Sequence, residues 1–197
     1  MEISNILNYA LVPLKVGTDK GHEILINLAT DMSYDQKVER IRKSNFIYDH
    51  YIALMPPTEV YPNLFLGSSY NAALLPGLTY RNVKYIVNVT NEISNYYPEN
   101  INYHNIAISD NGCDSISNYL EESYNVIESF LNKGDGAVLV HCYMGASRSA
   151  SVITYYIFKK TGKSIDDVLN MLQSQRPNIN ISMSLYDELK SIESYMV

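Results

Sequence analysis

The chain has 197 residues, 46% of them apolar, and a formal net charge of −6, enough for one globular domain with room for an extension. A pI near 5.2 argues against a basic face for nucleic acid or for an anionic membrane. Two cysteines, Cys113 and Cys142, are too few for a disulfide framework. No cationic start leads into an apolar signal core, and no apolar run reaches the roughly 18 residues of a membrane span. The expected setting is therefore reducing and intracellular, the cytoplasm with the nucleus left open.

Residues 1–57 read as an N-terminal extension, partly helical. Ile3 to Val16 is a short apolar-polar mix interrupted by Pro13 and closed by Gly17, and Gly21 to Ala29 reads equally as a strand or a short helix. Asp31 to Ile47 reads as a helix, with Ser33 as cap and Val38, Ile41 and Ile47 near helical spacing. Lys37, Arg40, Arg42 and Lys43 form a basic cluster on it. A solvated helix face explains them simply, and docking to an acidic groove is the sharper alternative. Pro56-Pro57 closes this region, so 58–197 is expected to form the main domain.

In that domain Glu59 to Tyr61 and Leu64 to Leu66 read as a hairpin about a Pro62-Asn63 turn. Ser68 to Leu75 reads as a helix broken by Pro76-Gly77. Strands are expected at Tyr85 to Val89, Ile101 to Ile108 and Ala137 to Val140. A helix is expected from Ser115 to Leu131, with Ser117 as cap, and three more over 147–161, 164–175 and 183–196. Strands alternating with helices predict an α/β fold, a central, mostly parallel sheet of about five strands with helices on both faces. In such sheets the ligand site lies at the carboxyl ends of the strands.

The chemistry concentrates in Val138 to Ser149, VLVHCYMGASRS. A buried strand ends at His141-Cys142, a loop of small residues follows, and Arg148-Ser149 opens a helix. A helix N-terminus offers unpaired amides and positive dipole character to an anion. The dipole and Arg148 favour the thiolate form of Cys142, which is the nucleophile, and the planar fork of Arg148 matches two oxygens of a phosphate. The backbone of Tyr143, Met144, Gly145, Ala146, Ser147 and Arg148 would then cradle the phosphate, with Gly145 allowing close approach. A nucleophile on the floor of such a cradle implies a cysteinyl-phosphate. Ser149 can hydrogen-bond the sulfur as it leaves, and His141 orders the loop backbone around Cys142. A buried structural cysteine in a strand-helix turn is the plain alternative, and it does not call for the arginine.

The spacing His141-Cys142, five residues, Arg148-Ser149 resembles the signature loop of the cysteine-dependent protein tyrosine phosphatases. Leu64 to Ser68, Ile86 to Thr90 and an aspartate at Asp110 narrow the resemblance to the dual-specificity branch, over roughly Glu59 to Tyr195. The resemblance implies a phosphatase-like fold and a protein phosphatase acting on phosphotyrosine and on phosphoserine or phosphothreonine. For Asn88 it also implies a supporting role in tying loops to the cradle; Ser69 is read the same way from the residues, and simple turn or strand-end hydrogen bonding explains both as well. Asp110, in the turn Ser109-Asp110-Asn111-Gly112, is the candidate general acid, at a distance before Cys142 similar to that of the branch. Asp114 is its rival, and an ordinary turn aspartate the plain alternative. Before the last helix, where relatives often read Pro-Asn, this chain has Ile181-Ser182.

No histidine or cysteine shows metal-ligand spacing, so neither a metal nor a cofactor is expected. The partner is a phosphoprotein, a kinase among the candidates, with no nucleic acid and no membrane; the oligomeric state stays open. Two other readings compete: a phospho-binding module that turns over poorly, and a phosphatase of RNA 5′ ends or phosphoinositides. The loop positions Tyr143, Met144, Ala146 and Ser147 carry no cation for extra phosphates, which counts against the latter.

Overall fold

The computed structural model describes residues 55–108 and 115–196. The expected elements and basic cluster of residues 1–54, and the turn carrying Asp110, Cys113 and Asp114, lie outside the described residues.

Five strands form one sheet: β1 (Thr58–Tyr61), β2 (Leu64–Ser68), β3 (Val83–Asn88), β4 (Asn102–Asn105) and β5 (Ala137–Cys142), in the order β1-β2-β5-β3-β4. β1 runs antiparallel to β2, and the other three pairings are parallel. The central strands alternate between two cores. Leu64, Leu66, Tyr85, Val87, Val138 and Val140 face one, while Ile86, Ala137 and Leu139 face the other, packed with Phe65. Burial on both faces is why these strands read as continuous apolar runs. β4 is shorter than the expected strand because Ile108 N–H donates to Ile106 O at 2.8 Å, a tight turn that takes the chain out of the ladder.

On one face lie two short helices, α1 (Ser69–Ala73) and α2 (Leu75–Tyr80). Ser68 is the cap of α1, not its first residue: its Oγ accepts from Asn71 N–H while the Asn71 side chain accepts from Ser68 N–H. Pro76-Gly77, expected to end helical structure, instead sits inside α2, because a proline in the first turn gives up an N–H that has no helical partner anyway.

The other face carries α3 (Ser117–Leu131), α4 (Arg148–Thr161), α5 (Ile165–Gln175) and α6 (Met183–Met196). α4 is buried from Arg148 to Phe158, so its polar groups need partners within the protein. Tyr155 and Tyr156 donate to Glu121 and Glu128 of α3, and Thr154 donates to Ala150 O one turn back. Ser117 does not cap α3; it is the first helical residue. Glu188 of α6 does the capping, accepting from Ser117 N–H at 3.0 Å and from the hydroxyls of Ser115 and Ser117. Leu185 and Leu189 seat α6 in the core despite the Ile181-Ser182 departure. No helix among the described residues is long and apolar enough to cross a membrane.

Candidate active site

Sheet register assembles the site. Cys142, the last residue of β5, stands opposite Ser68 at the end of β2, and His141 stands opposite Asn88 at the end of β3. Three loops therefore leave the carboxyl edge of the sheet side by side. The central one, residues 143–147, leads directly into α4 at Arg148.

The loop is shaped by the partners of its carbonyls. Tyr143 O accepts from Ser69 N–H at 3.0 Å and from Ser69 Oγ at 3.1 Å. Gly145 O accepts from Arg176 Nε at 3.3 Å, and Ala146 O from Asn180 N–H at 2.9 Å. Ser147 O is taken by Ser151 N–H at 2.8 Å, and Ser147 Oγ by Ser182 N–H at 3.2 Å. Because N–H and C=O of a trans peptide point in opposite directions, carbonyls held on the outside turn the intervening amides toward the inside of the loop. Gly145 adopts φ +69°, and a Cβ there would lie 2.5 Å from Gly67 O, so the loop closes this tightly against β2 only with glycine.

Cys142 is 3% exposed and lies on the loop's floor. Ser149 Oγ donates to Cys142 Sγ at 3.2 Å. His141 Nδ1 lies 3.2 Å from the Cys142 carbonyl. Burial pushes the His141 pKa down to about 4, so the ring is neutral near pH 7 and suited to ordering the backbone.

Arg148 is 2% exposed. Its Nη2 donates to Glu92 Oε1 at 2.6 Å, and its Nη1 donates to Glu92 Oε2 at 2.9 Å and to Ile108 O at 3.0 Å. Burial works to raise the Glu92 pKa, but the hydrogen bond and charge of Arg148 outweigh it and hold the carboxyl below its ordinary value. Asn88 places Glu92. Its Nδ2 donates to Ile93 O at 2.8 Å and to Asn95 Oδ1 at 3.1 Å, while its Oδ1 accepts from Thr90 Oγ1 at 2.6 Å. The described bonds of the Asn88 side chain thus go to the loop after β3, which bears Glu92, while Ser69 bonds the cradle directly.

Asp110 lies outside the described residues; Ile108, two positions before it, already touches Arg148 through its carbonyl. The side chains flanking the cradle's first residue are aromatic: the rings of Tyr70 and Tyr143 lie 6.4 Å apart. Glu92, Arg176 and Asn180 were not singled out by sequence reasoning, and Ser182 was noted only as a departure before the last helix, without a role at the site. The one signal for the last three is position, since Arg176-Pro177 ends a helix and 176–182 must cross back over the sheet edge.

Comparison with known proteins places the chain by family and fold. The family model described as "Dual specificity phosphatase, catalytic domain" matches residues 64–195. The human "Protein phosphatase Slingshot homolog 2" is 35% identical over 141 residues, 72% of this chain and 10% of that protein. The human "Dual specificity protein phosphatase 9" is 32% identical over 139 residues, 70% of this chain and 36% of that protein. The chain thus spans well under two thirds of these relatives. Among solved structures, human DUSP28 superposes with a TM-score of 0.67 at 27% identity, covering 72% of this chain and 95% of that one. The human "tyrosine phosphatase-like serine/threonine/tyrosine-interacting protein" superposes with a TM-score of 0.66 at 28% identity, covering 72% and 98%.

Proposed function

The chain belongs to the dual-specificity phosphatase family, and from that premise we propose that it is an active protein phosphatase that hydrolyses phosphotyrosine and phosphoserine or phosphothreonine through a cysteinyl-phosphate. The observation that carries this reading is the bond from Ser149 Oγ to Cys142 Sγ at 3.2 Å, beneath a loop whose carbonyls are tied outward. Residues 58–197 are the catalytic domain in this reading, and 1–57 an accessory extension.

In the first step Cys142 thiolate attacks phosphorus opposite the ester oxygen. The S–P bond forms and the P–O bond to the substrate breaks, while Asp110 gives its proton to the departing oxygen. The amides from Tyr143 to Arg148 and the Arg148 guanidinium take the negative charge on the equatorial oxygens. In the second step water attacks phosphorus and Asp110 accepts its proton. The S–P bond breaks, inorganic phosphate leaves, and Ser149 Oγ–H steadies the departing thiolate. Aromatic Tyr143 and Tyr70 beside the cradle, in place of cations, suit a phosphoprotein better than a substrate bearing several phosphates.

The test is phosphate release from a phosphotyrosine and a phosphothreonine peptide, side by side with a 5′-triphosphate RNA and a phosphoinositide. Turnover of both peptides above the other two is expected. Preference for RNA or lipid would overturn the protein-phosphatase reading. Binding of peptide without turnover would make the chain a phospho-binding module.

A further inference from the structure

Two arginines lie buried against the cradle, and their surroundings differ. Arg148, 2% exposed, has the Glu92 carboxylate on its fork. Arg176, 1% exposed, has carbonyls and a hydroxyl: Gly145 O at 3.3 Å from Nε, and Pro56 O at 3.1 Å and Thr58 Oγ1 at 3.4 Å from Nη1. Its Nη2 is buried with no hydrogen-bond partner. No carboxylate among the described residues pairs with it. A desolvated guanidinium with only neutral partners is costly unless an anion lies close by. Burial pushes the Arg176 pKa down to about 10, and the charge that works against this shift is that of Cys142.

We propose that Arg176 is a positioning residue of the phosphatase site: from behind the cradle it fixes the Gly145 peptide and supplies the uncompensated positive charge that favours the Cys142 thiolate and the bound phosphate. The proposal rests on the phosphatase reading above. Facing Cys142 from its own strand is His141, which is neutral near pH 7; from α4 come Ser149, neutral, and Arg148, whose charge Glu92 offsets. Arg176, following α5, is the one buried cation of the described site without a carboxylate on it. The bond to Gly145 O adds a geometric role, since rotation of that peptide would swing an amide out of the cradle.

The experiment uses the full chain and reads Cys142 carbamidomethylation by iodoacetamide against pH, by mass spectrometry of the Cys142 peptide. It also reads kcat, KM and vanadate inhibition with an aryl phosphate, and thermal midpoints. For Arg176→Met we expect the alkylation midpoint to rise by about one pH unit and kcat to fall about tenfold or more, with weaker vanadate binding. Arg176→Lys should restore the alkylation midpoint, because the charge returns, but not kcat, because lysine cannot bond Gly145 and Pro56 together. A folded Arg176→Met protein with the parent's alkylation midpoint overturns the proposal. Should that variant not fold, Arg176→Lys decides: a folded Arg176→Lys protein with the parent's kcat and vanadate inhibition overturns the proposal, and one whose kcat falls about tenfold or more supports it. Alkylation is read without turnover, so an inactive parent refutes the phosphatase reading while leaving the Arg176 measurement intact.

Discussion

Arg148 and Glu92 face each other as a two-bond pair, Nη2 at 2.6 Å from Oε1 and Nη1 at 2.9 Å from Oε2. A carboxylate on the guanidinium fork fixes its plane before any substrate arrives. Glu92→Ala should therefore lower kcat on an aryl phosphate by roughly 10- to 10²-fold, the range for a misplaced catalytic group, with the fold retained. The pair also sets an acid limit. A carboxyl held below its ordinary value of 4.5 contributes stability above that pH and loses it as pH falls through the lowered value. The parent's thermal midpoint should drop on that acid side more than the variant's. Equal kcat in parent and variant would remove Glu92 from the site.

Arg148→Lys keeps the charge and loses the fork on which both Glu92 and a phosphate depend. A loss in kcat of about 10²-fold or more is expected, comparable with removing a preorganised oxyanion donor. A mild effect, measured by steady-state kinetics, would place the phosphate elsewhere.

Cys142→Ser should abolish turnover while keeping phosphopeptide binding, because the cradle's outward carbonyl bonds do not involve the sulfur. Isothermal titration with a phosphotyrosine peptide checks the binding. Residual turnover at a tenth of the parent rate would be incompatible with a cysteinyl-phosphate.

His141 carries its own pH signature. Its folded pKa, pushed down to about 4 by burial, lies below the ordinary 6.5, so the unfolded chain binds the extra proton first. Its contribution is fully present above about pH 6.5 and is lost as pH falls toward about 4. The thermal midpoint of the parent should decline across that window, and the decline should be shallower in His141→Gln. Parallel curves would show that the ring titrates freely.

Asp110→Asn should slow phosphothreonine hydrolysis by about 10²- to 10⁴-fold, the usual range for a general acid. An activated aryl phosphate should suffer less, because its leaving group needs no proton. The basic limb of the pH–rate profile should flatten in the variant. If Asp110→Asn behaves like the parent and Asp114→Asn loses that limb, the acid is Asp114.

The sheet and its edge were legible in the chain because they follow from local periods. Apolar runs at 137–140 and 85–89 mark strands covered on both faces, and β5 and β3 take those places at the centre of the sheet. The spacing of His141, Cys142, Arg148 and Ser149 is likewise carried by one continuous stretch. Glu92 and Arg176 were not legible. Each is a charged residue of the kind that normally lies in solvent, and each meets the cradle only through tertiary contact, Glu92 with a residue 56 positions away and Arg176 with one 31 away. Pairings at such separations have no period to betray them. The cap of α3 shows the same limit: Ser117 stood at the right place in the sequence, but the acceptor for its N–H came from Glu188, 71 residues on, because α6 packs across that helix start. What the chain determined alone is the set of elements and the reactive loop; which charges surround that loop was decided by how the loops after β3 and α5 close over the same sheet edge.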